Sequence, residues 1–190
     1  MPFSLLDMMF GLALSATLAG MSVAHMLGAL DDMRAVAAAR YVSSRLQQTR
    51  VEAIQRGHRA ALRIDQVANG YAFRTFLDGN RNGVLSADIQ SGIDRPAGPL
   101  DALGHHFAGV EFGAIPGLPS VDPAGTPPGT DPIRTGASDM VTFTPVGTAT
   151  TGSLYIRGRN HIQLAVRIFG QTGKTRVLRF DSRNQQWNPL

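Results

Sequence analysis

The chain of 190 residues contains no cysteine, so a disulfide framework, a thiolate metal centre and a cysteine nucleophile are all excluded. That absence assigns no compartment, because many exported proteins also do without disulfides. Lysine is nearly missing too: of 18 basic residues only Lys174 is not arginine. An arginine-biased genome produces such a composition, and so does a surface selected for phosphate or carboxylate, which the rigid guanidinium fork suits better than an ammonium does. No proline occurs between Phe3 and Pro96, which removes the strongest helix breaker from almost half of the chain. The sequence has no GxSxG, P-loop or HExxH pattern and no evident Ser/His/Asp set, so it is not expected to be an enzyme. It has no internal repeat and carries no Lys or Arg before Arg34.

What stands in place of an early basic region is an apolar run. Between 8 and 30 the only titratable side chain is His25. This is about the length of one helical crossing of a bilayer, roughly 20 residues. A cleaved secretory signal is the poorer reading, since it expects a basic start and a shorter apolar stretch. Asp7 sits at the mouth of the run, and Asp31, Asp32 and Arg34 follow it without defining an orientation. Residues 1–30 are therefore read as a transmembrane or filament-core helix and 31–190 as one globular head.

The helix does not stop at 30. Helical pattern runs from about 5 to 56, where Gly57 breaks it, a length of roughly 75 to 80 Å. That is far more than a membrane needs, so the second half must belong to the head. There Ala35, Ala39, Val42, Leu46, Thr49 and Ala53 recur at spacings of three and four, an apolar stripe suited to lie on a sheet. After Gly57 the period changes to two. Strands are expected over 60–66 and 70–78, joined at Asn69-Gly70, and again over 140–144, 153–157, 161–169 and 175–181. Short connections imply antiparallel pairing, and the fold class is α+β. Six of the eleven prolines, interleaved with glycines, fall between 113 and 138, which is expected to be a long exposed loop.

Charge is divided unevenly. The balance is +3 over 1–64, −5 over 65–140 and +6 over 141–190, the last from Arg157, Arg159, Arg167, Lys174, Arg176, Arg179 and Arg183 against Asp181 alone. Positive charge gathered on neighbouring strands is the footprint of phosphate binding, although a solvated face has the same composition. Asp78, Asn80 and Asn82, followed by Gly83, match the first half of a calcium-binding EF-hand loop. The twelfth position holds Ile89 where that loop needs Glu, with Asp88 one residue early, and a tight turn between strands explains the same letters. No metal or other cofactor is otherwise expected; the adjacent His105 and His106 would face opposite ways on a strand.

The order of these features resembles the type IV pilin-like proteins, and within them the GspH/FimT-type minor pseudopilins. Phe3, Ser4, Leu5, Leu6 and Asp7 are similar to that family's phenylalanine, small polar residue, two aliphatics and glutamate ahead of an apolar helix. The helix end through Arg50, Glu52, Ala53, Arg56 and Gly57, the turn from Asp78 to Gly83, the Pro145 and Gly147 segment and the late Gly173-Lys174-Thr175-Arg176 also occur there at comparable places. The resemblance implies a structural subunit of a type II secretion pseudopilus or a type IV pilus. Such a subunit sits in the bacterial inner membrane by its N-terminal helix, head on the periplasmic side, and is then drawn into a filament among other pilin-like subunits. It implies processing by a prepilin peptidase, with an assembly pair formed by the amine of Phe3 and the carboxylate of a neighbouring chain's Asp7. Pro2 departs from the glycine or alanine that precedes the family's phenylalanine, and aspartate replaces its glutamate. Some relatives bind DNA through a Gly-Arg-x-Arg-like motif, which the resemblance carries to Lys174 and Arg176, with Arg179 beside them. A major filament subunit and a membrane-anchored metal-binding protein are the remaining alternatives.

Overall fold

A computed structural model describes residues 4–122, 125–136 and 138–190, the side chains of 21–25 and 160 excepted. Its first element, α1 (Leu5–Arg56), is a single 52-residue helix with the expected bounds. Ser4 opens it: its hydroxyl accepts the Leu6 N–H at 3.3 Å, while the Asp7 carboxylate accepts the Ser4 N–H at 3.2 Å. This reciprocal pairing satisfies two amides that the first turn would otherwise leave open. Gly57 closes the helix in the left-handed region, φ 65°, where a side chain would be strained.

Two antiparallel sheets follow. The first is built from β1 (Ala60–Val67), β2 (Gly70–Leu77), the two-residue β3 (Arg95–Pro96) and β6 (Met140–Phe143), in the order β3-β2-β1-β6. The second contains β4 (Glu111–Phe112), β5 (Ile133–Arg134), β7 (Gly152–Arg157), β8 (Gln163–Phe169), β9 (Lys174–Asp181) and β10 (Gln186–Pro189). Its order is β10-β9-β8-β7-β4, with β5 also paired to β7. Two short helices, α2 (Ser86–Ser91) and α3 (Leu103–His106), lie between β2 and β4. The chain is thus α+β, a long N-terminal helix packed on an antiparallel head.

The helix joins the sheets. Ala35, Ala38, Ala39, Val42, Leu46 and Ala53 are buried in one cluster with Leu62, Ile64 and Phe73 of the first sheet and Leu154, Ile156, Leu164, Val166 and Ile168 of the second. Four alanines in that stripe let the backbones approach closely. At the end of β7, a Cβ built on Gly158 would lie 2.8 Å from the Ala35 Cβ, closer than two carbons can sit. Each sheet also has a covered outer face. Ala61, Phe76 and Met140 lie under Val84 and Ile89 on one side, and Tyr155, Ala165 and Leu178 under Leu118, Ile115 and Trp187 on the other.

Three details differ from the sequence expectation. The β1–β2 register pairs Val67 with Gly70, so the turn is made by Ala68 and Asn69, one residue earlier than expected. The proline-rich stretch is not simply exposed: Leu118 is buried, Trp187 Nε1 donates to the Pro119 carbonyl at 3.1 Å, and 133–134 form a strand. The apolar outer face of β7–β9 needs a cover, and this loop supplies it. The sheet region is also two sheets, because the 144–150 turn carries the chain from the first to the second through Ala149 N–H to Gly170 O at 2.7 Å.

A buried carboxylate pins the turn after β2. Asp94, 1% exposed, accepts the Gly79 N–H and the Leu85 N–H, both at 2.9 Å. Asp94→Ala takes the acceptor from both partly buried amides, and each group hydrogen-bonded to a charge contributes about 1.5–3 kcal/mol. The urea midpoint of the detergent-solubilised chain is therefore expected to fall by at least the equivalent of one such group; an unchanged midpoint rejects the latch.

A second anchor ties the 101–107 segment to α1. Asp101 accepts the Tyr41 hydroxyl at 2.5 Å and the Ala102 N–H at 2.8 Å, and lies 3.0 Å from His106 Nε2. Burial pushes this carboxyl up, but the three hydrogen bonds and the imidazole charge together hold it below its ordinary value. Its folded pKa is lower than its unfolded one, so its contribution is full above the unfolded pKa, about 3.9, and is lost as pH falls through the folded value. Asp101→Asn is expected to lower stability at neutral pH and to flatten the loss between about pH 5 and 2. Denaturant midpoints measured across that range check both signs.

Candidate functional site

Two surfaces carry the residues singled out in the sequence: the free half of α1 and the strands of the basic C-terminal region. Every residue from 4 to 20 is exposed, including Leu5, Leu6, Met8, Met9, Phe10, Leu12 and Leu14. A helix that is apolar all round belongs in an apolar surrounding, and here the head does not supply it. Its few hydroxyls are satisfied within the helix: Ser15 donates to Gly11 O at 2.7 Å and Thr17 to Leu14 O at 2.8 Å. This leaves the segment fit for an environment without water. Among the described residues no helix is long and apolar enough to cross a membrane. The expected span of 8–30 includes 21–25, whose side chains, His25 among them, lie outside the described residues.

Of the expected assembly pair, Phe3 lies outside the described residues. Asp7 is described, and one of its oxygens is used in capping its own helix. Among the described residues the other oxygen makes no hydrogen bond, so capping and a contact with an amine of another chain are compatible.

Strand alternation sorts the basic residues. Along β9, Leu178 packs outward against Tyr155 and Trp187, while Val177 packs inward on the main core. Lys174 and Arg176 share the outward face with Leu178, and both are exposed. Arg179 lies on the opposite face, with its guanidinium 2.9 Å from the Asp32 carboxylate of α1. The three candidate cations therefore do not form one surface. The outward pair gains a neighbour that sequence reasoning missed: Phe169, half exposed, with Arg176 5.6 Å and Arg167 5.9 Å from its ring centroid. A phenylalanine closing a strand reads as core in sequence, and only the β8–β9 register, which sets Arg167 opposite Arg176, reveals the cluster. Arg167 and Arg157 are partly spent, ion-paired to Asp122 and Glu111 respectively.

The residues that match a calcium loop serve the turn itself. Asp78, buried, accepts the Arg81 N–H at 2.6 Å and the Gly83 N–H at 2.9 Å. The amides of Asn80 and Asn82 donate to Asp88, at 3.1 and 2.9 Å. His105 and His106 sit in the single turn of α3, not on a strand, and His106 faces Asp101. Among the described residues no group of three or more His, Asp or Glu is placed to hold a metal ion.

No family model matches the chain, and no curated protein matches it. Among solved structures it is similar to the minor pseudopilin EpsH of the type 2 secretion system of Vibrio cholerae, at 17% identity over 77% of this chain and 97% of that one, with a TM-score of 0.48. A crystal structure described as the same pseudopilin is similar at 14% identity, covering 84% of this chain and 94% of that one, with a TM-score of 0.42.

Proposed function

We propose that the chain is a structural, minor pilin-like subunit, assembled through its N-terminal helix into a type II secretion pseudopilus or a type IV pilus. The observation that carries this reading is the division of one helix into two halves. Residues 35–53 are the spine of the head, whereas 4–20 are apolar, exposed and continuous with that spine. An anchor alone needs no rigid connection to the fold it carries. A subunit that must hold its head at a set distance and angle from a filament core does.

In this reading the helix resides in the inner membrane with the head on the periplasmic side, and exchanges lipid for the helices of other pilin-like subunits on assembly. Asp7 would meet the amine of a neighbouring Phe3, exposed by a prepilin peptidase. Deletion of 3–30 is expected to leave a head that folds and no longer enters filaments. Asp7→Ala is expected to lower incorporation tenfold or more, since a buried charge left without its partner costs about 3–5 kcal/mol. Incorporation of the truncated head at the level of the full chain rejects the proposal.

The outward cluster of Lys174, Arg176 and Phe169 supports a second reading, in which the head also binds DNA. Cations would contact phosphates without reading sequence, and the exposed ring offers a base a stacking surface. Arg179, paired to Asp32, takes no part. A gel-shift salt series on single-stranded DNA is expected to show a slope reduced by about 1.4 in Lys174→Ala plus Arg176→Ala, about 0.7 per contact, and unchanged in Arg179→Ala. Binding indifferent to salt and to the double substitution rejects this reading.

A further inference from the structure

The end of the head nearest the apolar run has its own chemistry. A groove of about 540 Å³ runs along α1, lined by Asp32, Met33, Val36, Ala37, Arg40 and Arg179. Met33 is 67% exposed within it. Arg179 also lines the adjoining cleft with Arg183 and Leu190, so the two depressions form one strip from Arg40 to Arg183. The acids nearby are already engaged: Asp31 with Arg34, Asp32 with Arg179, and Asp181 with the Arg183 N–H and the Asn184 amide. Among the described residues Arg40 and Arg183 have no acidic partner. Free positive charge and exposed apolar side chains thus occur together.

The direction of β9 says which way this strip faces. Thr175 bonds Ser43 at 2.6 Å and Arg179 bonds Asp32 at 2.9 Å, so β9 descends α1 toward its N-terminus. Four strand residues, about 13 Å, cover eleven helix residues, about 16 Å. Continuing that descent past Asp181 brings the 182–185 turn to the level of Leu30 and below, where the apolar run ends. The side chain of Arg40 leans toward the helix N-terminus, as helical side chains do, which lowers its charge toward the same level.

We infer that this strip is a docking surface for a membrane carrying anionic phospholipid, holding the head against the headgroups while α1 resides in the bilayer. The inference rests on the membrane residence proposed above. Headgroups occupy roughly 5–7 Å beyond the hydrocarbon on each side, a depth that about four residues of helix span. Met33 would enter the boundary region, and Arg183 would reach the phosphates with its stem along the apolar edge. Arg40, ten residues or about 15 Å above Leu30, would feel the anionic surface from within about one screening length without touching it. An arginine near an anionic surface contributes about 1 kcal/mol, so two free ones hold the head reversibly and do not compete with extraction into a filament.

The cysteine-free chain makes the test direct. Full-length protein carrying Ser182→Cys, labelled with an environment-sensitive fluorophore, is reconstituted into vesicles of phosphatidylcholine alone or with phosphatidylglycerol. A second sample carries the label at Phe10→Cys. The Ser182 label is expected to shift to the blue and become accessible to a headgroup-level quencher only in the anionic vesicles. At least half of that response should vanish in 0.5 M salt, roughly a 4 Å screening length, and in Arg40→Gln plus Arg183→Gln, and be retained in the lysine counterparts. A Ser182 label indifferent to phosphatidylglycerol or to the double substitution, beside an inserted Phe10 label, overturns the inference and leaves membrane residence standing. A Phe10 label that stays in water overturns both.

Discussion

The burial of one helical stripe against two sheets at once is the constraint on which the rest of the head depends. Ala35, Ala38, Ala39, Val42, Leu46 and Ala53 form an apolar layer shared by both sheets, and without it each sheet would expose much of its inner face. Most of the stripe is alanine, so its value lies less in its own area than in what it allows the sheets to bury. At about 25 cal/mol per Å², Leu62, Ile64, Phe73, Leu154, Ile156, Leu164, Val166 and Ile168 each contribute about 1.5–3 kcal/mol when fully covered. The closeness of the contact at Gly158 shows why larger residues are not used there.

Covering the other two faces is left mostly to loops and one short helix, α2. On the first sheet the cover is the 78–94 segment, whose backbone amides are held by Asp78 and Asp94. On the second it is the proline-rich stretch, held by Gln163, which donates to Gly113 O at 3.0 Å and accepts the Ile115 N–H at 3.1 Å, and by the Arg167–Asp122 ion pair. Buried polar side chains fasten loops that have no periodicity of their own, since a loop laid on an apolar face must still find partners for its amides. The same economy governs the cations. Arg167 and Arg179, prominent in the sequence as positive charge, are fasteners, while Lys174, Arg176, Arg40 and Arg183 remain available.

Legibility in the sequence followed the strength of the local signal. The bounds of α1 were readable because no proline interrupts 4–56 and Gly57 supplies the left-handed close. The longer strands were readable from alternation. The hairpin was misplaced by one residue because Asn-Gly is the stronger turn pair in isolation, whereas the β1–β2 register is set by which residues must face α1. Two-residue strands such as β3, β4 and β5 carry no period and could not be seen. The grouping of cations was half legible: composition located them on consecutive strands, but the face each occupies depends on alternation counted from buried neighbours, which set Arg179 apart from Lys174 and Arg176. The Phe169 cluster depends on register across β8 and β9 and has no sequence signal at all.

The two halves of α1 differ in what each residue does for the fold, and that difference separates folding from assembly. Residues 4–20 contribute nothing to the buried cluster, so changes there leave the head's core intact; residues 35–53 make the core, so changes there act on the head first. What the halves share is the continuity of the backbone ladder between them. A helix turns about 100° per residue, so one residue inserted or removed between 20 and 35 keeps both halves folded while rotating the head by that angle about the free half and moving it by about 1.5 Å. Any surface that must meet the membrane or a neighbour at a fixed azimuth would be displaced by such a change, although the buried core of the head is preserved. The uninterrupted helix is thus the part that converts a correctly folded head into a correctly oriented one.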